Sequence, residues 1–107
     1  MNGDHKKTSA DSKEYGEAFA AIGSTPRIEV LFTVVKAADR GLTIGEIQEI
    51  TQIPASTLAH HLRFLADAKL IIQERDGRRI INKANLGTIE KLSAFLIDIL
   101  ALKNEDK

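Results

Sequence analysis

The chain contains no cysteine among its 107 residues. Disulfides, thiolate metal clusters and thiol redox sensing are therefore excluded by composition alone. Tryptophan is also absent, and aromatic residues make up only 5% of the chain. A core must then come from Leu, Ile, Val and Ala, which suits packed helices. No apolar run approaches the ~18 residues that a membrane-spanning helix requires. The opening stretch, residues 1–16, lacks the apolar centre of a secretion signal. These absences point to a cytoplasmic protein with no membrane partner. Enzymatic signatures are missing as well: there is no Ser/His/acid constellation on separate elements and no glycine-rich phosphate loop. No cofactor is expected.

Net charge is the last absence. Fifteen basic side chains balance fifteen acidic ones, which taken alone argues against nucleic acid. The distribution argues for it. Between Ile53 and Lys83 six basic residues (Arg63, Lys69, Arg75, Arg78, Arg79, Lys83) face three acids (Asp67, Glu74, Asp76). Local field governs phosphate contact more than the total does.

A chain of this length forms one compact domain, and shared burial in a dimer would help so small a core. Residues 1–13 are polar and aperiodic and read as a flexible tail, leaving 14–107 as the domain. Tyr15, Phe19 and Ile22 then fall on one helical stripe ended by Gly23. Ser24-Thr25-Pro26 is a helix start, with a hydroxyl cap and a proline where its missing N–H is harmless. That helix carries Ile28, Leu31, Phe32, Val35 and Ala38 on its apolar face and stops at Asp39-Arg40-Gly41. Thr43 and Glu46 have capping-box spacing at the head of a short helix presenting Ile44, Ile47 and Ile50. Thr51 to Pro54 is a turn.

The next helix covers about Ala55 to Ala68. At about 100° per residue Leu58, Leu62 and Leu65 point together, while Ser56, Ala59, His60 and Arg63 point away, with Thr57 at the margin. A small, polar outward edge near the N-terminal end is what a major-groove recognition helix offers. His60 is outward and can donate to a base edge or phosphate; His61 lies at the boundary as a hydrogen-bonded residue. Neighbouring histidines diverge too far along a helix to chelate, so no metal site is expected. Ile71-Ile72 and Ile80-Ile81 flank Asp76-Gly77, a hairpin signal in which Asp-Gly supplies the positive φ angles of a primed turn. Arg75, Arg78 and Arg79 at its tip suit phosphates or a narrow minor groove. From Leu86 or Thr88 to Leu102 a last helix carries more apolar residues than one side can use, marking a partner surface.

Helix, turn, polar-edged helix and Asp-Gly hairpin in this order resemble the ArsR/SmtB family of bacterial winged helix-turn-helix repressors. The resemblance runs from about Phe19 to Asn85: GSTPRIEVLFTVV, LTIGEIQEI, STLAHHLRFLADAKLI and ERDGRRIIN match its successive elements. His60-His61-Leu62 ahead of Leu65 and the wing is the most specific piece. It implies a mainly α fold of about five helices with a small β-hairpin wing. It also implies a homodimer built through the first and last helices, with Phe19, Ile22, Leu92, Phe95, Leu96 and Ile99 as contacts. Two-fold symmetry then calls for double-stranded DNA carrying a palindromic operator. Recognition helix 55–65 and wing 73–80 would read it, with Ser56, Thr57, Ala59 and His60 at bases or nearby phosphates. Ala59 stands where the family usually has Ser and can meet a thymine methyl.

The family's metal sites have no counterpart. The Glu46-Ile47-Gln48-Glu49 stretch holds no thiol, and residues 86–102 hold no histidine. A small organic effector at the dimer interface, or no effector, ranks above a metal. The alternative to a DNA-binding repressor is a winged helix used for protein–protein contact, since fold does not fix function.

Overall fold

The break at Ile53-Pro54 and the turn at Gly77 divide the chain in the structure as they do in the sequence. The computed structural model describes residues 9–103. Its order is α1 (Ser9–Ile22), α2 (Thr25–Lys36), α3 (Ile44–Thr51), α4 (Ala55–Asp67), β1 (Ile71–Asp76), β2 (Arg79–Ala84) and α5 (Leu86–Leu102). A single 3-10 turn, Ala38–Arg40, sits between α2 and α3. Among the described residues, five α-helices and a two-stranded antiparallel hairpin make the expected winged helix-turn-helix.

Local chemistry sets most boundaries. Ser24 caps α2 by accepting from the Arg27 amide at 3.4 Å. At the head of α3 the capping box is complete: Glu46 N–H donates to the Thr43 hydroxyl at 3.2 Å, and Thr43 N–H donates to the Glu46 carboxylate at 2.9 Å. Asn85 caps α5 through the Thr88 amide at 3.4 Å. α1 begins earlier than expected. Residues 9–13, read as tail, belong to this helix; their polar sequence shows no apolar period from which it could be read. The remainder of that tail, residues 1–8, lies outside the described residues.

The core gathers Ala21 from α1, Val30 and Val34 from α2, Ile47 from α3, and Leu58 and Leu65 from α4, all fully buried. Each large aliphatic side chain so buried contributes about 1.5–3 kcal/mol. α1 and α2 meet at a bend of 97°. Among the described residues no single helix is long and apolar enough to cross a membrane.

The hairpin differs in one detail. Asp76 pairs with Arg79, so the two-residue apex is Gly77-Arg78 and not Asp76-Gly77. Only Gly77 has positive φ, 66°, at the first central position, the pattern of a II′ turn. Asp76 instead closes the ladder and bonds Arg79 at 3.1 Å. The hairpin is tied to the body by Asn82, a buried polar side chain. Its backbone exchanges two bonds with Leu42 (2.7 and 2.9 Å), and its amide donates to Leu42 O (3.1 Å) while accepting from Gln73 (2.8 Å). Gly41 makes that approach possible. At φ +68° its backbone favours glycine, and a Cβ there would lie 2.5 Å from Ile81 Cγ2.

Candidate nucleic-acid interface

α4 has two unlike sides. Leu58, Leu62 and Leu65 are at most 2% exposed, whereas Ser56, Thr57, Ala59, His60 and Arg63 are all exposed. The leucines lock the rotation of the helix, so the polar edge cannot turn inward without exposing three apolar side chains. Pro54 provides no side-chain cap, so the first-turn amides of α4 are left without a capping oxygen. Such amides, together with the helix dipole, favour an anion at this end.

Two contacts brace this edge that the sequence did not disclose. The Arg27 guanidinium lies 4.2 Å from the centre of the Phe64 ring, and its Nε donates to Ala21 O at 2.6 Å. One side chain from α2 thus joins the end of α1 to the outward flank of α4. The His60 ring meets Phe64 edge-on at 6.0 Å. Only a tertiary fold brings Arg27 to Phe64; Pro26-Arg27 in a helix start gives no hint of it. His61 does sit at the boundary, but its buried Nδ1 has no hydrogen-bond partner among the described residues, contrary to expectation. Burial, then the positive charge of Arg27 and the neighbouring His60, push its pKa below the usual histidine value.

Arg75, Arg78 and Arg79 are exposed on the wing, yet they are not equivalent. Arg79 is paired with Asp76 at 3.1 Å and Lys83 with Glu74 at 3.0 Å. Arg75 and Arg78 form no ion pair among the described residues and keep their guanidinium donors for a ligand. Behind the wing Arg40 meets Glu46 at 3.3 Å. The Thr43 amide, then Arg40, hold the Glu46 carboxyl below the usual carboxylate range.

The residues expected at a dimer contact divide. Leu92 is only 6% exposed and belongs to the protomer's own core, so its assignment to a partner surface is corrected. Phe95 stacks on Tyr15 with ring centres 4.2 Å apart and lies 6.1 Å from Phe19, which with Ile22 packs against the core. Leu96 and Ile99 are about half exposed, at 52% and 46%. Ile97 and Leu100, at 63% and 61%, are more open still and were left out of the expected set. The apolar stripe on α5 spans so wide an arc that sequence cannot tell which part α1 of the same protomer covers. No group of three or more His, Asp or Glu gathers to hold a metal among the described residues.

Comparison with known proteins agrees with this geometry. Residues 27–73 match the family described as "Bacterial regulatory protein, arsR family". Over 66 residues the chain is 32% identical to the "Arsenical resistance operon repressor" of Bacillus subtilis (strain 168), covering 61% of this chain and 60% of that protein. Over 64 residues it is 33% identical to the "HTH-type transcriptional regulator KmtR" of Mycobacterium tuberculosis, covering 60% of this chain and 47% of that protein. The chain therefore spans less than two thirds of the length of either relative. In fold it is similar to an ArsR-like transcriptional regulator from Rhodococcus sp. RHA1, with TM-score 0.78, 21% identity and coverage of 90% and 88% of the two chains. It is also similar to a homodimeric winged helix-turn-helix DNA-binding domain from Mycobacterium bovis, with TM-score 0.70, 19% identity and coverage of 90% and 84%. Residues 27–73, which run from α2 through α3 and α4 into β1, are thus similar to the arsR family of bacterial regulatory proteins, and the fold around them is that of a winged helix-turn-helix.

Proposed function

We propose that the chain acts as a homodimeric, sequence-specific DNA-binding repressor in the cytoplasm. Residues 55–65 enter the major groove, with Ser56, Thr57, Ala59, His60 and Arg63 at bases and nearby phosphates. Arg75 and Arg78 of the wing contact the backbone or minor groove, and Arg79 adds less because Asp76 already engages it. The second copy docks on the exposed apolar face of α5, with α1 alongside. The two recognition helices then meet half-sites of a palindrome about one helical turn apart. A small organic molecule that favours one spacing of those helices over another would regulate binding.

The observation that carries this reading is the exposed polar edge of α4 held outward by three buried leucines, inside the segment that matches the family. Domain 14–107 is the working unit of the proposal. The relatives' names support regulation of transcription, and the M. bovis domain's description supports DNA binding by a dimer.

Fluorescence anisotropy against DNA from upstream of the chain's own gene tests it. Wild-type protein should bind one such fragment at least ~1000-fold more tightly than random duplex at moderate salt. His60→Ala with Arg78→Ala should lose most of that preference while remaining dimeric. Equal binding to every duplex, or none at low salt, would instead favour a protein–protein role for the winged helix, a role with which the absence of net charge is compatible.

A further inference from the structure

A pocket of about 70 Å³ opens where α1, the end of α4 and the start of α5 meet. Its apolar wall comes from Tyr15, Ala18 and Leu92, and its rim carries Glu14, Lys69 and Lys91. Tyr15 is fixed there by its stack on Phe95. At the rim the two ammonium groups share one carboxylate: Lys69 Nζ is 3.7 Å from one Glu14 oxygen and Lys91 Nζ is 3.6 Å from the other. Both separations exceed hydrogen-bond length, so the lysines' donors are not committed among the described residues. Two cations against one anion leave a single positive charge beside an apolar wall.

Lys69 holds a second anomaly. α4 ends in a Schellman motif, with Leu70 N–H bonded to Leu65 O and Lys69 N–H bonded to Ala66 O, each at 2.9 Å. Lys69 fills the left-handed position at φ 65°, where glycine fits best. A lysine here carries a backbone penalty that glycine would not, so the fold alone does not call for it. Its side chain reaches the rim of the pocket.

We infer that this pocket binds a small monocarboxylate, an organic acid with a short apolar tail. The carboxylate bridges Lys69 and Lys91 in place of Glu14, and the tail lies on Tyr15, Ala18 and Leu92. Size sets the class: a dry cavity of about 150 Å³ takes a benzene ring, so half of that suits an acid of roughly two to four carbons. Displacing Glu14 removes the ion pairs that link α1 to Lys69, just past the end of the recognition helix, and to Lys91 on α5. For its consequence, lowered operator affinity, the inference rests on the DNA-binding reading above; for the binding itself it does not.

The test is an amide NMR titration of the full-length protein with sodium propionate at constant ionic strength, with inorganic phosphate and propionamide as parallel arms. Propionate should give saturable shifts at Ala18, Lys69 and Leu92, while the other two compounds should not. Lys69→Gly with Lys91→Gln should abolish them. Lys69→Gly alone should raise Tm, which separates loss of ligand from loss of fold. Equal saturation by phosphate or by propionamide, or shifts that persist in the double variant, overturns the assignment. With the pocket saturated, affinity for a bound operator should fall at least about threefold. Unchanged affinity would overturn the regulatory half alone, whereas failure of all DNA binding would strike the repressor reading and leave the pocket assignment to the NMR result.

Discussion

α4 and α5 differ in how they dispose of their apolar residues, and the difference tells their roles apart. On α4 the leucines are buried and the outward side is mostly polar, apart from Phe64, which lies under Arg27. On α5 Leu92 is buried while Leu96, Ile97, Ile99 and Leu100 remain 46–63% exposed. A helix that has buried its apolar side within the protomer can present polar groups to a hydrated, charged partner such as DNA. A helix that has not done so leaves an apolar face suited to an apolar partner, which the proposed function assigns to a second copy.

The sharpest way to break this contrast is to charge the open face of α5. Leu96→Asp with Leu100→Asp should convert the dimer into a monomer by analytical ultracentrifugation and weaken operator binding more than 100-fold. Each leucine lost from an apolar interface removes about 1.5–3 kcal/mol, and the dimer holds two copies of each. A dimer that persists would mean that the open face serves something else.

The polar side of α4 responds to a different probe. Leu62→Ala should lower unfolding free energy by about 2–5 kcal/mol in urea melts, because Leu62 is 2% exposed. His60→Ala should leave stability within about 0.5 kcal/mol but weaken operator binding by about 1–3 kcal/mol. If both variants lose stability alike, the two sides of α4 are not functionally distinct.

The join between wing and body comes next. Gly41→Ala puts a methyl 2.5 Å from Ile81 Cγ2 and 2.8 Å from Lys83 Cγ at a positive φ. A loss of about 2–4 kcal/mol is expected, with the wing's amides losing hydrogen-exchange protection first.

The smallest expected effect comes from His61. Its pKa is lowered in the folded state, so the unfolded chain takes up the proton more readily. The stability this histidine supports is complete above its ordinary value of about 6.5 and declines as pH falls from there through the lowered folded value. His61→Gln should flatten that part of the stability–pH curve. An unchanged slope would locate the acid sensitivity elsewhere.

Much of this was legible in the sequence, for identifiable reasons. The leucine spacing on α4 has a strong helical period, so its rotation and outward edge could be read directly. The Thr43–Glu46 box and the Ser24 cap are local chemistry and behaved as such. What escaped depends on distant partners. Asp76-Gly77 resembles a turn centre, but the strand register, with Asp76 opposite Arg79, moves the apex one residue on. Leu92 and Ile97 are equally apolar in sequence, and only the position of α1 sends one inward and leaves the other out. Arg27 on Phe64, and Glu14 between two lysines, join residues far apart along the chain.

Hydroxyl-radical footprinting of the dimer on its operator tests the central claim most directly. The account predicts two protected patches related by a dyad, about 10 base pairs apart, both lost in the His60→Ala, Arg78→Ala variant. A single asymmetric patch, or protection that survives in that variant, would contradict it.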